Sequence, residues 1–202
     1  MRHERWKKLM DSFSIPENKE TYTKLVSCYS EKHGYYHSSE HIEATLSHLN
    51  TVRDLADKPN EIELALWFHD AIYKIFSTTN ELDSANWCSE FLIANVVEKG
   101  IIERVHRLIM ATIHSAELQT KDEKLMVDID LSILGAEPKV YDHFEHNVRK
   151  EYRFIPYFLY RKKRKEILNS FLEREQVYST DYFYNKWEAN ARNNLNRAIS
   201  NL

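Results

Sequence analysis

Residues 60–73 read NEIELALWFHDAIY. Asn60 is a helix-capping residue, and Ile62, Leu64, Ala65, Leu66, Trp67 and Phe68 follow it with apolar side chains on nearly every face. A helix that is apolar all round has no side to give to water, so this segment is the predicted centre of a helical core. It ends on His69–Asp70, two side chains that carry metal-binding and proton-transfer chemistry.

Working outward, the flanking sequence repeats apolar residues at three- and four-residue spacing. Residues 18–32 place Tyr22, Leu25, Val26 and Tyr29 on one stripe before Gly34, and a second helix runs from the Ser38–Ser39 cap to the break at Lys58–Pro59. Asn80 to Lys99 reads as one helix stopped by Gly100, Glu103 to Ser115 as the next, and Asp122 to Leu134 as another closed by Gly135. Pro138 and Pro156 fall in the first turns of two more, and residues 181–199 form the last. Strand alternation is hardly visible and no linker interrupts the chain, so the expected fold is all-α, a single-domain helical bundle over 1–202.

Composition removes several function classes. The chain has 202 residues and a formal net charge of −3, which supplies no global attraction for nucleic acid or an anionic membrane. Its three glycines, Gly34, Gly100 and Gly135, form neither a dinucleotide nor a P-loop fingerprint. Cys28 and Cys88 form no CxxC and read as reduced thiols. The first thirty residues lack a signal-peptide pattern and no stretch is long and apolar enough to span a bilayer, so a cytoplasmic protein without a membrane partner is expected. The basic run 161–165 precedes Ile167, Leu168, Phe171 and Leu172 and reads as the solvated side of an amphipathic helix rather than a nucleic-acid site. The C-terminal aromatics around Tyr157, Phe158, Phe183 and Trp187 read as core packing and as a candidate homodimer face.

The chemistry concentrates in His41, His69–Asp70, His114 and the Asp128-Ile129-Asp130 triplet. Imidazole and carboxylate together suit divalent ions and leave coordination positions open for solvent and substrate. Neighbouring helix residues point about 100° apart, so His69 and Asp70 share an ion only if other helices complete its shell. His37 lies four residues before His41, on the same helix face or in a local cap. Glu81 reads as a water-orienting base or as an acid favoured by the helix dipole, and His114 as a donor to phosphate or as a helix-end histidine. Lys74, Arg149 and Tyr152 are candidates for contact with substrate phosphate, with surface or structural roles as the alternative.

These residues resemble the HD superfamily of metal-dependent phosphohydrolases, built around an H…HD…D ligand set. HIEATLSHL at 41–49 resembles the first-ligand helix, ELALWFHDAIY at 63–73 the doublet helix, and VDIDLSILG at 127–135 the segment of the last aspartate. The likeness extends to a branch of about 200 residues with a YHxxxHI opening, here Tyr36 to Ile42, and to NELDSA at 80–85, VRKEY at 148–152, residues 164–180 and EANARNNL at 188–195. The resemblance implies an HD-type bundle whose metal site comes mainly from residues 37–130, with C-terminal helices 137–202 packed on it. It implies His41, His69, Asp70 and Asp130 as ligands of one divalent ion (Mn, Fe, Co, Ni, Zn or Mg), with Asp128 the competing assignment for the last. One ion is expected because only His106 and His114 lie between the doublet and that aspartate. The implied activity is hydrolysis of a phosphomonoester of a nucleotide or related small metabolite, with Asp70, Glu81 and His114 in catalysis and His37, Lys74, Arg149 and Tyr152 at the substrate. The alternative is a non-catalytic metal- or nucleotide-binding sensor or interaction module that retains the pocket.

Overall fold

The computed structural model describes residues 3–30, 39–114 and 117–202, and all regular structure among them is helical, as expected. The chain divides into two compact units, Met1–Val127 and Asp128–Leu202. The first holds α1 (His3–Ser12), α2 (Lys19–Cys28), α3 (Ser39–Val52) with a 3-10 turn at Arg53–Leu55, α4 (Pro59–Phe68), α5 (Asn80–Ala94), α6 (Lys99–Ala111) and the start of α7 (Lys121–Asp130). The second holds a 3-10 segment (Leu131–Gly135), α8 (Pro138–Glu151), α9 (Tyr157–Leu172) and α10 (Asp181–Asn201).

In the first unit α4 is the centre: every residue from Glu61 to Phe68 is buried, and α1, α3, α5 and α6 pack on it. Trp6 of α1 meets Trp67 edge-on at 5.5 Å, and Phe68 meets Trp87 edge-on at 5.3 Å, the geometry aromatic quadrupoles favour. α1 escaped the sequence reading because only Trp6, Leu9 and Met10 make its buried stripe. Two acids of α4 go inside with it. Glu61 takes a bidentate pair from Arg104 at 2.7 and 2.8 Å, and Glu63 is held between Arg5 at 2.7 Å and Arg53 at 2.8 Å.

Several expected boundaries are corrected. Asn60 does not cap α4; Pro59 opens it, where a missing N–H costs nothing, and the N–H groups of Asp57 and Lys58 donate to Asp122 at 2.8 and 2.9 Å. Gly100 does not stop a helix running from Asn80; it lies in the first turn of α6, which begins at Lys99 rather than Glu103. The stop comes earlier. Val97 N donates to Leu92 O at 3.1 Å and Val96 N to Ile93 O at 3.0 Å, a Schellman closure that puts Val96 in the left-handed region at φ 57°. The helix expected over 122–134 is α-helical only to Asp130 and continues as 3-10 to Gly135. Pro156 is the residue before α9 rather than part of its first turn. Gly34 and Ser38 lie outside the described residues.

The second unit is tied through α10 to the 3-10 segment, α8 and α9. Gly135 is required there by proximity: a Cβ on it would lie 2.5 Å from Trp187 Cβ and 2.8 Å from the Tyr178 hydroxyl. Arg164, one member of the basic run, makes a bidentate pair with Glu145 at 2.6 and 3.0 Å, while Arg161, Lys162 and Lys163 face solvent. No helix among the described residues is long and apolar enough to cross a membrane.

Two measurements check these assignments. A β-branched residue at positive φ is strained, and Val96 is 91% exposed with little packing to lose. Val96→Gly is therefore expected to raise unfolding free energy by about 1 kcal/mol in denaturant titration. Gly135→Ala is expected to lower it by about 1–3 kcal/mol, because backbone or Trp187 must shift to admit the methyl group.

Candidate metal centre

Three helices supply the site. His41 stands in the first turn of α3; His69 directly follows α4, its N–H closing on Ala65 O at 2.9 Å; Asp130 is the last residue of α7, whose first seven residues belong to the first unit. The apolar run of α4 delivers His69 to the end of a buried helix, so the ring is only 1% exposed and His41 7%.

The geometry is that of convergent donors. His41 Nε2 lies 3.2 Å from His69 Nε2, and Asp70 Oδ2 lies 3.1 Å from His69 Nε2 and 3.4 Å from His41 Nε2. Donors at about 2.1 Å from an ion are about 3.0 Å apart in an octahedral shell and about 3.4 Å apart in a tetrahedral one. The observed edges match that range. Asp130 completes the group, with one ligand atom from each of the four residues within 4.8 Å of all the others. His69 Nδ1 sits 2.9 Å from Leu66 O, a bond that places the ring proton on Nδ1 and leaves the Nε2 lone pair facing the other donors. The four residues can hold a metal ion, and their donor chemistry, two imidazoles and two carboxylates, fits a divalent one.

Asp128, the competing assignment, has other work. Its carboxylate is buried and accepts from Ser179 N at 2.9 Å, Thr180 N at 2.7 Å and Thr180 Oγ1 at 2.6 Å, holding the residues that open α10. Burial pushes its pKa up to about 6 against the opposing pull of those bonds. Two positions separate Asp128 from Asp130, which turns them to different faces of α7.

The other predicted residues are spread more widely. His37 lies outside the described residues. Glu81 is half-buried in the first turn of α5, and His114 follows α6 in a left-handed conformation at φ 61°; neither belongs to the four-residue group. Lys74 is exposed, its main chain locked to the Asn80 side chain by two 3.0 Å bonds. Arg149 and Tyr152 belong to the second unit, where Arg149 donates to Tyr152 O at 2.6 Å and Ile155 O at 3.3 Å and lies over the Tyr160 ring at 4.8 Å. The Leu66 carbonyl, which orients His69, was not singled out in the sequence; its position three residues upstream on the same helix face was the available signal.

Against protein-family models, curated proteins and solved structures, the chain matches none.

The two aspartates should separate experimentally. Asp130→Asn is expected to weaken Mn²⁺ binding by more than roughly tenfold in calorimetric titration at unchanged helical content. Asp128→Ala should cost about 1–3 kcal/mol of stability, by stranding buried N–H groups, with the metal donors intact.

Proposed function

We propose that the chain is an HD-type metal-dependent phosphohydrolase acting on a phosphomonoester of a nucleotide or a related small metabolite. The observation that carries this reading is the meeting of His41, His69, Asp70 and Asp130, the H…HD…D order of that superfamily, in one group of compatible donor atoms. A divalent ion held there supplies acidification of water and neutralisation of phosphoryl charge.

The remaining roles fall to the chain. The Nδ1–H to Leu66 O bond fixes the His69 ring, so its Nε2 cannot turn away from the donor group. Asp70 contributes a carboxylate oxygen and its negative charge beside both imidazoles. In hydrolysis a water oxygen forms the new bond to phosphorus, the bond to the alcohol oxygen breaks, and the leaving oxygen takes a proton. Glu81 is the proposed acceptor of the water proton and His114 the proposed donor to the leaving group. Lys74, by its place just beyond the doublet, is the proposed phosphate contact.

Elemental analysis of protein purified without chelator, followed by phosphate-release assays across nucleoside monophosphates and sugar phosphates, tests this. Stoichiometric metal and turnover of at least one substrate are expected, with His69→Gln and Asp70→Asn losing more than about 100-fold in kcat/KM at unchanged helical content. Metal binding with no phosphate release across the panel would favour a binding module instead. Full activity in Asp70→Asn would overturn the metal mechanism.

A further inference from the structure

A cleft of about 420 Å³ opens in the first unit between α1, the end of α3, its 3-10 turn and the start of α4, lined by Glu4, Arg5, Lys8, Asn50, Arg53, Asn60 and Glu63 over Leu9. None of these residues belongs to the metal group. The cleft nonetheless shares its two main helices. His41 and Asn50 lie nine residues apart on α3, and Asn60 and His69 nine residues apart across α4. At 1.5 Å per residue each span is about 13–14 Å, so the metal group and the cleft occupy opposite ends of one antiparallel helix pair.

We infer that this cleft is a second, non-catalytic binding site for a phosphate group. Three cations line it against two acids, and one of those acids, the buried Glu63, already has both oxygens taken by Arg5 Nε and Arg53 Nη1. That carboxylate orients the two guanidiniums, both of which line the cleft. Arg53 Nη2 reaches Asn60 Oδ1, which turns that carboxamide toward the same space. Arg5 Nη2 itself is buried and has no hydrogen-bond partner among the described residues, so the donors open to an occupant are those of the exposed Lys8 and the part-exposed Arg53. Lys8 is exposed at the rim. Forked donors, a mobile ammonium and two carboxamides at Asn50 and Asn60 form a set suited to a tetrahedral dianion. The volume admits the remainder of a small metabolite as well.

Titration of ¹⁵N-labelled, chelator-treated full-length protein with inorganic phosphate, adenosine monophosphate and a hexose phosphate, followed by NMR, tests this. Removing metal silences the other centre, so failure there leaves this result readable. The side-chain signals of Asn50, Asn60 and Arg5 Nε are expected to shift saturably at millimolar phosphate, with affinity at least roughly tenfold weaker in Lys8→Glu. Arg53→Gln should abolish the shifts, and His69→Gln should leave them unchanged. A phosphomonoester binding tighter than phosphate identifies a metabolite as occupant; equal affinity identifies the free ion. Absence of saturation up to tens of millimolar, or wild-type affinity in Lys8→Glu, overturns the inference.

Discussion

A helix buried among other helices must settle its polar groups largely within the protein, because little water reaches them. α4 carries this constraint, and much of the first unit is arranged to meet it. Glu61 and Glu63 are each 7% exposed or less, so each needs a cationic partner delivered from elsewhere: Arg104 from α6 for one, Arg5 from α1 and Arg53 from the 3-10 turn for the other. The pairs thereby tie α6, α1 and the 3-10 turn to α4. An unpaired carboxylate there would cost several kcal/mol, at about 3–5 kcal/mol for a broken buried pair.

The same burial shapes the donor group. His69 has one nitrogen committed to a main-chain carbonyl and the other brought against a second imidazole and a carboxylate. Lone pairs and negative charge gathered in a low-dielectric setting repel, and a cation relieves that repulsion. Because the surrounding core is close-packed, the rings are held in this arrangement by the protein itself, which would lower the reorganisation that binding an ion requires.

Much of this was legible in the chain. The apolar residues leading up to His69–Asp70 predicted a buried helix, and the order His41, His69–Asp70, Asp130 matched a metal set with the right residue types. What escaped were features decided at long range. Asp128 and Asp130 are indistinguishable by composition, and only the fold brings Ser179 and Thr180 to the former. The end of α5 was misread because Gly100 is the usual signal for a stop, whereas a valine performs that task here at a backbone angle it disfavours. α1 was passed over because three apolar residues among charged neighbours make a faint pattern, although Trp6 is wholly buried. Glu63 sits in an apolar run as an apparent interruption, and its use becomes evident only when both arginines are seen around it.

The attachment of Asp122 to the entrance of α4 bears on the order of events during synthesis. The carboxylate is 65 residues downstream of the Asp57 N–H it accepts from, so the chain emerging from the ribosome exposes α4 well before its entrance can be secured. Closing so long a loop is entropically slow to reward, and the isolated segment is too short to hold helical form unaided. The donor group is likewise complete only once Asp130 has been made, 60 positions after Asp70, so a shorter nascent chain holds at most three of its four members.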